Sequence, residues 1–142
     1  MFRNPESKDI ERLLRSARTI AVVGLSTDAS RPSHDVARHL QGFGYRVIPV
    51  NPVIDSVLGE RAVPDLDHLT EVLAAGERVD IVDVFRRPEQ VPAIVEACIR
   101  LGLPALWLQD GVVHEEAAAR ARAAGIFTVM DRCIYRDRAA LY

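Results

Sequence analysis

Apolar positions along the chain alternate between two periods. Residues 19–24 (TIAVVG) form a short apolar run ending in glycine, which predicts a buried strand. In residues 32–43, Val36, Ala37, Leu40 and Phe43 fall at helical spacing, Pro32 suits a first helical turn, and Gly42 and Gly44 supply the stop. Residues 45–50 (YRVIPV) predict a second strand. The rhythm then repeats: a short strand over 61–64, a short helix over 66–75 stopped near Gly76, and a strand over 79–85 (VDIVDVF). A helix follows over 89–101, with an apolar stripe of Val91, Ile94, Val95, Cys98 and Leu101. Residues 104–109 (PALWLQ) predict a strand, 114–124 an alanine-rich helix ended by Gly125, and 126–130 (IFTVM) the last strand. An N-terminal helix is expected over 8–15, with Ile10, Leu13 and Leu14 facing inward.

Strands separated by helical segments argue a parallel sheet covered on both sides. The expected fold is α/β: a Rossmann-like, doubly wound, mainly parallel five-stranded sheet with helices on both faces. No linker or repeat divides the chain, so residues 1–142 read as one domain. In such sheets ligands bind at the carboxyl ends of the strands, at the topological switch point.

Composition narrows the function more than the fold. The formal net charge is −2, so there is no global basic field for nucleic acid. Lys8 is the only lysine, and arginine supplies the remaining positive charge. Cys98 and Cys133 do not form a CxxC, and the four histidines, His34, His39, His68 and His114, show no ligand spacing, so no metal is expected. The first 18 residues lack the apolar core of a signal peptide, and no apolar run approaches a membrane span. The expectation is a cytoplasmic protein that binds neither membrane nor nucleic acid.

The candidate chemistry lies just after each strand. Gly24 through Ser33 (GLSTDASRPS) leads into a helix, and Ser26, Thr27, Ser30, Ser33 and Arg31 offer hydroxyls and a guanidinium fork to an anion. The alternative is an ordinary strand-to-helix loop. This is neither GxGxxG nor a Walker loop, and the second strand ends in Val50-Asn51-Pro52 rather than the acid that holds an NAD ribose. Phosphorylated nucleotides are favoured and NAD is disfavoured. Phe85-Arg86-Arg87 places two cations at the next strand end, and Gln109 at the one after could read a ligand or cap a turn. Asp80 and Asp83 lie within one strand, where either could be an internal hydrogen-bonding carboxylate. Trp107 and Cys98 read as core, and Cys133 as either a small packed residue or a thiol beside the ligand.

Taken in order, Val23-Gly24-Leu25-Ser26, Arg31-Pro32-Ser33, residues 44–52 (GYRVIPVNP), Val82-Asp83-Val84-Phe85-Arg86, residues 106–111 (LWLQDG) and Met130-Asp131-Arg132-Cys133 resemble the small CoA-binding domain family. That family is similar to the N-terminal CoA-binding domain of the succinyl-CoA synthetase α subunit. The resemblance implies coenzyme A as ligand. It implies Gly24, Leu25, Ser26 and Thr27 around the pyrophosphate, closed by Arg31, Pro32 and Ser33. It further implies Val50, Asn51 and Pro52 at the adenosine end, and Phe85 and Arg86 at the nucleotide or the start of the pantetheine arm. No histidine here follows a glycine, so the synthetase's phosphohistidine pair is missing and the ligase reaction is not carried over. The expectation is a stand-alone coenzyme A-binding protein without catalysis of its own, sensing, carrying or presenting CoA or acyl-CoA. The alternative is an enzyme, or an enzyme subunit completed by a partner protein, acting on a CoA thioester. Replacing Gly24 by valine is expected to harm binding more than folding.

Overall fold

The computed structural model describes residues 1–141. Five parallel strands form one sheet in the order β2-β1-β5-β6-β7. They are β1 (Thr19–Val23), β2 (Arg46–Val50), β5 (Ile81–Val84), β6 (Ala105–Leu108) and β7 (Phe127–Val129). The three central strands, β1, β5 and β6, are buried at every position, as expected of a sheet covered on both faces. One face packs against α3 (Val91–Leu101) and α4 (Glu115–Ala123) through Val91, Val95, Cys98, Ala118 and Ala121. The other packs against α1 (Ser7–Ser16), α2 (Pro32–Gly42) and α5 (Ile134–Ala139) through Leu14, Val36, Leu40 and Ile134. The β1–β2 connection therefore crosses one face and the β5–β6 connection the other. Their divergence opens a crevice at the carboxyl ends of β1 and β5.

The sequence reading and the structure differ in four places. Residues 61–64 do not add a strand to the sheet. Instead β3 (Ser56–Val57) and β4 (Glu60–Arg61) make a separate antiparallel hairpin, turned by Leu58 and Gly59, both at positive φ. Only an isolated parallel bridge from Val63 to Val50 touches the sheet. The helix expected over 66–75 is a 3-10 turn, Leu66–Glu71, held by buried Leu66 and Leu69. The helix expected from 89 begins with a 3-10 turn, Pro88–Gln90, before α3, and Leu101 at its end is 39% exposed rather than inward. The fourth difference is α5, which has no counterpart in the reading. It spans six residues with only Ile134 buried, too short to show a helical period.

Of the two carboxylates on the 79–85 segment, Asp80 is the hydrogen-bonding one. Its Oδ2 accepts the N–H groups of Arg18 and Thr19 at 2.8 and 3.0 Å. Asp83 lies in register between Val22 and Trp107, is 0% exposed, and neither carboxyl oxygen has a partner among the described residues. Burial raises its pKa well above the ordinary carboxylate range. The unfolded chain ionises this group near its ordinary value, while the folded chain keeps the proton. Stability contributed at acid pH is therefore lost as pH rises from the unfolded pKa towards the folded one. Asp83→Asn, which carries no charge in either state, is expected to flatten that decline and to unfold at higher urea than the parent at pH 7. Urea titrations at pH 4.5 and pH 7 check this; a variant and parent with parallel pH profiles would show that Asp83 ionises freely.

Candidate ligand-binding crevice

The crevice begins where two backbones nearly touch. The Gly24 N–H donates to Val50 O at 2.8 Å, and the Phe85 N–H donates to Val23 O at 2.8 Å. Gly24 has φ +88°, and a Cβ there would stand 2.3 Å from the Phe85 carbonyl oxygen and 3.3 Å from Arg86 Nε. Only glycine fits this position. The Arg86 side chain lies across Gly24, so the strand end and the cation form one surface.

The loop from Gly24 to Arg31 is braced from within. Ser33 Oγ accepts the Ser26 N–H, and Ser26 Oγ accepts the Asp28 N–H, both at 3.0 Å. Asp28 Oδ1 accepts the Ser30 N–H and hydroxyl at 2.9 and 2.7 Å, and these two bonds hold its carboxyl below the ordinary range. The one acid in the loop is thus committed to the loop. Ser26 and Ser33 each accept a backbone N–H and keep their hydroxyl protons to donate. The N–H groups of Leu25 and Thr27 donate to nothing among the described residues. The result is a rigid turn with donors left over, entering α2 at Pro32.

The larger chamber holds about 1000 Å³ and is lined by Gly24, Ser26, Arg31, Pro32, Ser33, Phe85, Arg86 and Gln109. These eight residues, each singled out in the sequence, are brought together. Val50 lines an adjoining chamber that also meets Arg86. The other four fall elsewhere. Leu25 is 0% exposed and packs into the core below the loop. Thr27 and Pro52 are exposed and line neither chamber. Asn51 is buried, its Nδ2 donating to Leu25 O at 3.0 Å and its Oδ1 accepting the Val53 N–H at 3.1 Å. Asn51 therefore ties the first loop to the second strand end. Gln109 Oε1 accepts the Ile134 N–H at 3.1 Å and fixes the start of α5.

That short helix brings Tyr135 and Arg136, which the sequence pattern did not assign, beside Cys133, for which a packed residue and a thiol near the ligand were the alternatives. Cys133, Tyr135 and Arg136 line the chamber opposite the first loop. Arg136 is paired with Asp110 through bonds of 2.7 and 2.8 Å, and Tyr135 stacks on His39 with ring centroids 4.1 Å apart. Arg31, Arg86 and Arg87 make no ion pair among the described residues and line one chamber. Cys98 is 0% exposed on the far face of the sheet, where burial pushes its thiol up to about 12. Cys133 is a free thiol, 7% exposed, in the chamber wall. Of the other histidines, His114 caps α4 by accepting the Ala117 N–H at 3.0 Å, and His68 sits beside Asp65, whose hydrogen bond raises its pKa. No cluster of metal-ligating side chains is present among the described residues, and none of their helices is long and apolar enough to cross a membrane.

Comparison with known proteins places the chain in a family and a fold. Residues 18–138 match the CoA-binding domain family. An uncharacterized Bacillus subtilis protein, YneT, is 41% identical over 133 residues, which is 94% of each chain. A Thermus thermophilus structure, cell-free ID.343, is 38% identical with a TM-score of 0.88, over 97% of this chain and 100% of that one. A Candidatus Korarchaeum cryptofilum dinucleotide-forming acetyl-coenzyme A synthetase 1, in complex with phosphate and ADP, is 25% identical with a TM-score of 0.68. That match covers 84% of this chain but 26% of the synthetase.

The Gly24 geometry changes the expected outcome of substituting it. A side chain at this position meets a backbone carbonyl, so folding suffers together with any binding. Gly24→Ala is expected to lose on the order of 2 kcal/mol of stability, from positive φ and the collision combined. Chemical denaturation measures this. A Gly24→Ala protein as stable as the parent would mean that the β1–β5 ends can separate freely.

Proposed function

The chain belongs to the CoA-binding domain family, and we propose that it binds coenzyme A or acyl-CoA without catalysis of its own, to sense, carry or present it. The observation that carries this reading is the set of three arginines without ion pairs, Arg31, Arg86 and Arg87, around the Gly24 turn. Coenzyme A brings a pyrophosphate and a 3′-phosphate, and guanidinium forks suit both. In this reading Gly24, Ser26 and Ser33 face the pyrophosphate with Arg31 and Pro32. Val50 flanks the adenosine end, and Phe85, Arg86 and Gln109 border the start of the pantetheine arm. Leu25 and Asn51 shape the site from beneath, and Thr27 and Pro52 sit at its rim.

The non-catalytic reading is supported by how the polar wall is used. Ser33 Oγ is bonded to a backbone N–H, Gln109 Oε1 to the start of α5, and Asp110 to Arg136. The second reading, an enzyme or a subunit acting on a CoA thioester with a partner protein, is favoured by one observation: a domain of this shape makes up about a quarter of an acetyl-CoA synthetase chain. Incubation with a panel of acyl-CoAs, watching for free thiol, separates the two.

Calorimetry is expected to give binding with CoA and none with NAD; the reverse preference overturns the reading. Arg86→Ala is expected to weaken CoA binding by roughly 1–3 kcal/mol. A smaller loss with dephospho-CoA assigns Arg86 to the 3′-phosphate, equal losses assign it to the pyrophosphate, and no loss removes it from the site.

The free thiol in the wall gives a further expectation. Oxidised CoA presents a disulfide; attack by the Cys133 thiolate forms a mixed disulfide and releases one CoA thiolate. Intact-protein mass spectrometry is expected to show one reductant-sensitive CoA adduct, lost in Cys133→Ser, with Cys98 unmodified. No adduct, or one on Cys98, means that Cys133 is a packing residue.

A further inference from the structure

Beyond Arg86, on the α3 side, the crevice continues into a second chamber of about 310 Å³. Val23 and Val50 stand at its base, and Arg86 and Gln90 line both chambers, so the two are continuous. Its facing walls come from elements that no strand pairing connects. One is the α3 face carrying Ala93, Ile94 and Ala97; the other is the 64–67 segment leading into the Leu66–Glu71 turn. Leu66 and Leu69 root that turn in the core. Above them, Arg100 Nη2 donates to both carboxylate oxygens of Asp67, each at 2.9 Å. No other hydrogen bond or ion pair among the described residues joins the two walls.

We infer that the Arg100–Asp67 pair is a positioning tie that sets the width of this second chamber, and with it the affinity for the purine end of the ligand. The inference rests on the coenzyme A reading. The form of the chamber supports it. Ala93, Ile94 and Ala97 on one wall face Pro64 and Leu66 on the other, and apolar groups held at a fixed spacing suit a flat ring, which gains contact area on both faces only if neither wall recedes. The Asp65 carboxylate on the rim, whose Oδ1 is bonded to His68, keeps Oδ2 to accept from an amine at the ring edge. The two side chains of the tie are 57% and 49% exposed, so the pair adds little to folding and its effect falls on spacing. Arg100 is already engaged by a carboxylate, which distinguishes it from the unpaired arginines around Gly24.

The test is calorimetry of the parent, Arg100→Ala, Asp67→Ala and the charge-swapped double variant Arg100→Asp/Asp67→Arg, with CoA and with dephospho-CoA, beside their thermal melts. The tie predicts that each single variant weakens both ligands equally, by about twofold to fivefold, the scale of an exposed ion pair, with the melting temperature unchanged. It also predicts that the swapped pair recovers most of the loss. Unchanged affinity in the single variants overturns the inference while leaving the coenzyme A reading intact. So does a loss confined to CoA, which would make Arg100 a direct 3′-phosphate ligand, and so does a swapped variant with no recovery. A parent protein that binds neither ligand overturns the coenzyme A reading and the tie with it.

Discussion

Everything at the candidate site depends on one close approach, that of Gly24 to the carbonyl of Phe85. The two strands that meet there, β1 and β5, send their connections to opposite faces of the sheet. The chain leaving β1 must therefore turn away at once, and it does so at φ +88° with no room for a Cβ. That turn aims the Ser26–Arg31 loop back over the sheet edge and leaves the Arg86 side chain lying on bare backbone. A larger residue would separate the strand ends, move the loop and lift the arginine together. The crevice is thus a consequence of sheet topology before it is a consequence of any ligand-facing side chain.

The charges follow the same economy. The chain as a whole is slightly acidic, yet the crevice concentrates cations. Many arginines elsewhere are held in ion pairs, such as Arg120 with Glu96 and Arg132 with Asp137. At the crevice the nearest loop acid, Asp28, is turned onto Ser30, while Arg31, Arg86 and Arg87 keep their forks unspent. Locally committed acids and uncommitted bases make a cationic site without a cationic protein. Directly beneath, Asp83 is buried without a partner two residues before Phe85. The structure gives it no bond that would explain its presence, and it stands out against Asp80 at the other end of the same segment, whose Oδ2 accepts two backbone N–H groups.

The sheet was legible because buried parallel strands leave an unmistakable trace: apolar runs such as 19–23 and 105–108, each closed by a turn residue and separated by helical spacing. Strand-end loops then follow from topology, which is why Gly24, Ser26, Arg31, Ser33, Arg86 and Gln109 could be picked from sequence and lie around one chamber. What escaped was short or was set by tertiary contacts. The six residues of α5 bury one side chain, so no period announces them, and with them went Tyr135 and Arg136. The 3-10 turn at Leu66–Glu71 carries an apolar spacing that a helix would share. The family resemblance implied Asn51 at the adenosine end of the ligand; in the structure its amide bonds the backbone of Leu25 and Val53, contacts that no local pattern announces.

Asn51 also bears on which nucleotide the crevice suits. A dinucleotide site of the NAD type places a carboxylate at the end of the second strand, free to accept from the ribose hydroxyls. Here that position holds a neutral, buried amide with both ends bonded to backbone, and its donor side steadies the loop that begins at Gly24. The same residue that withholds a ribose acceptor thus reinforces the anion-facing turn. With the ribose unread, the selectivity of the crevice falls to the groups on either side of Arg86. On one side are the unpaired cations over the first loop, which the proposal assigns to phosphate; on the other is the second chamber beside α3, which it assigns to a flat ring. Under the coenzyme A proposal, a ligand spanning both carries phosphate between a base and a longer arm.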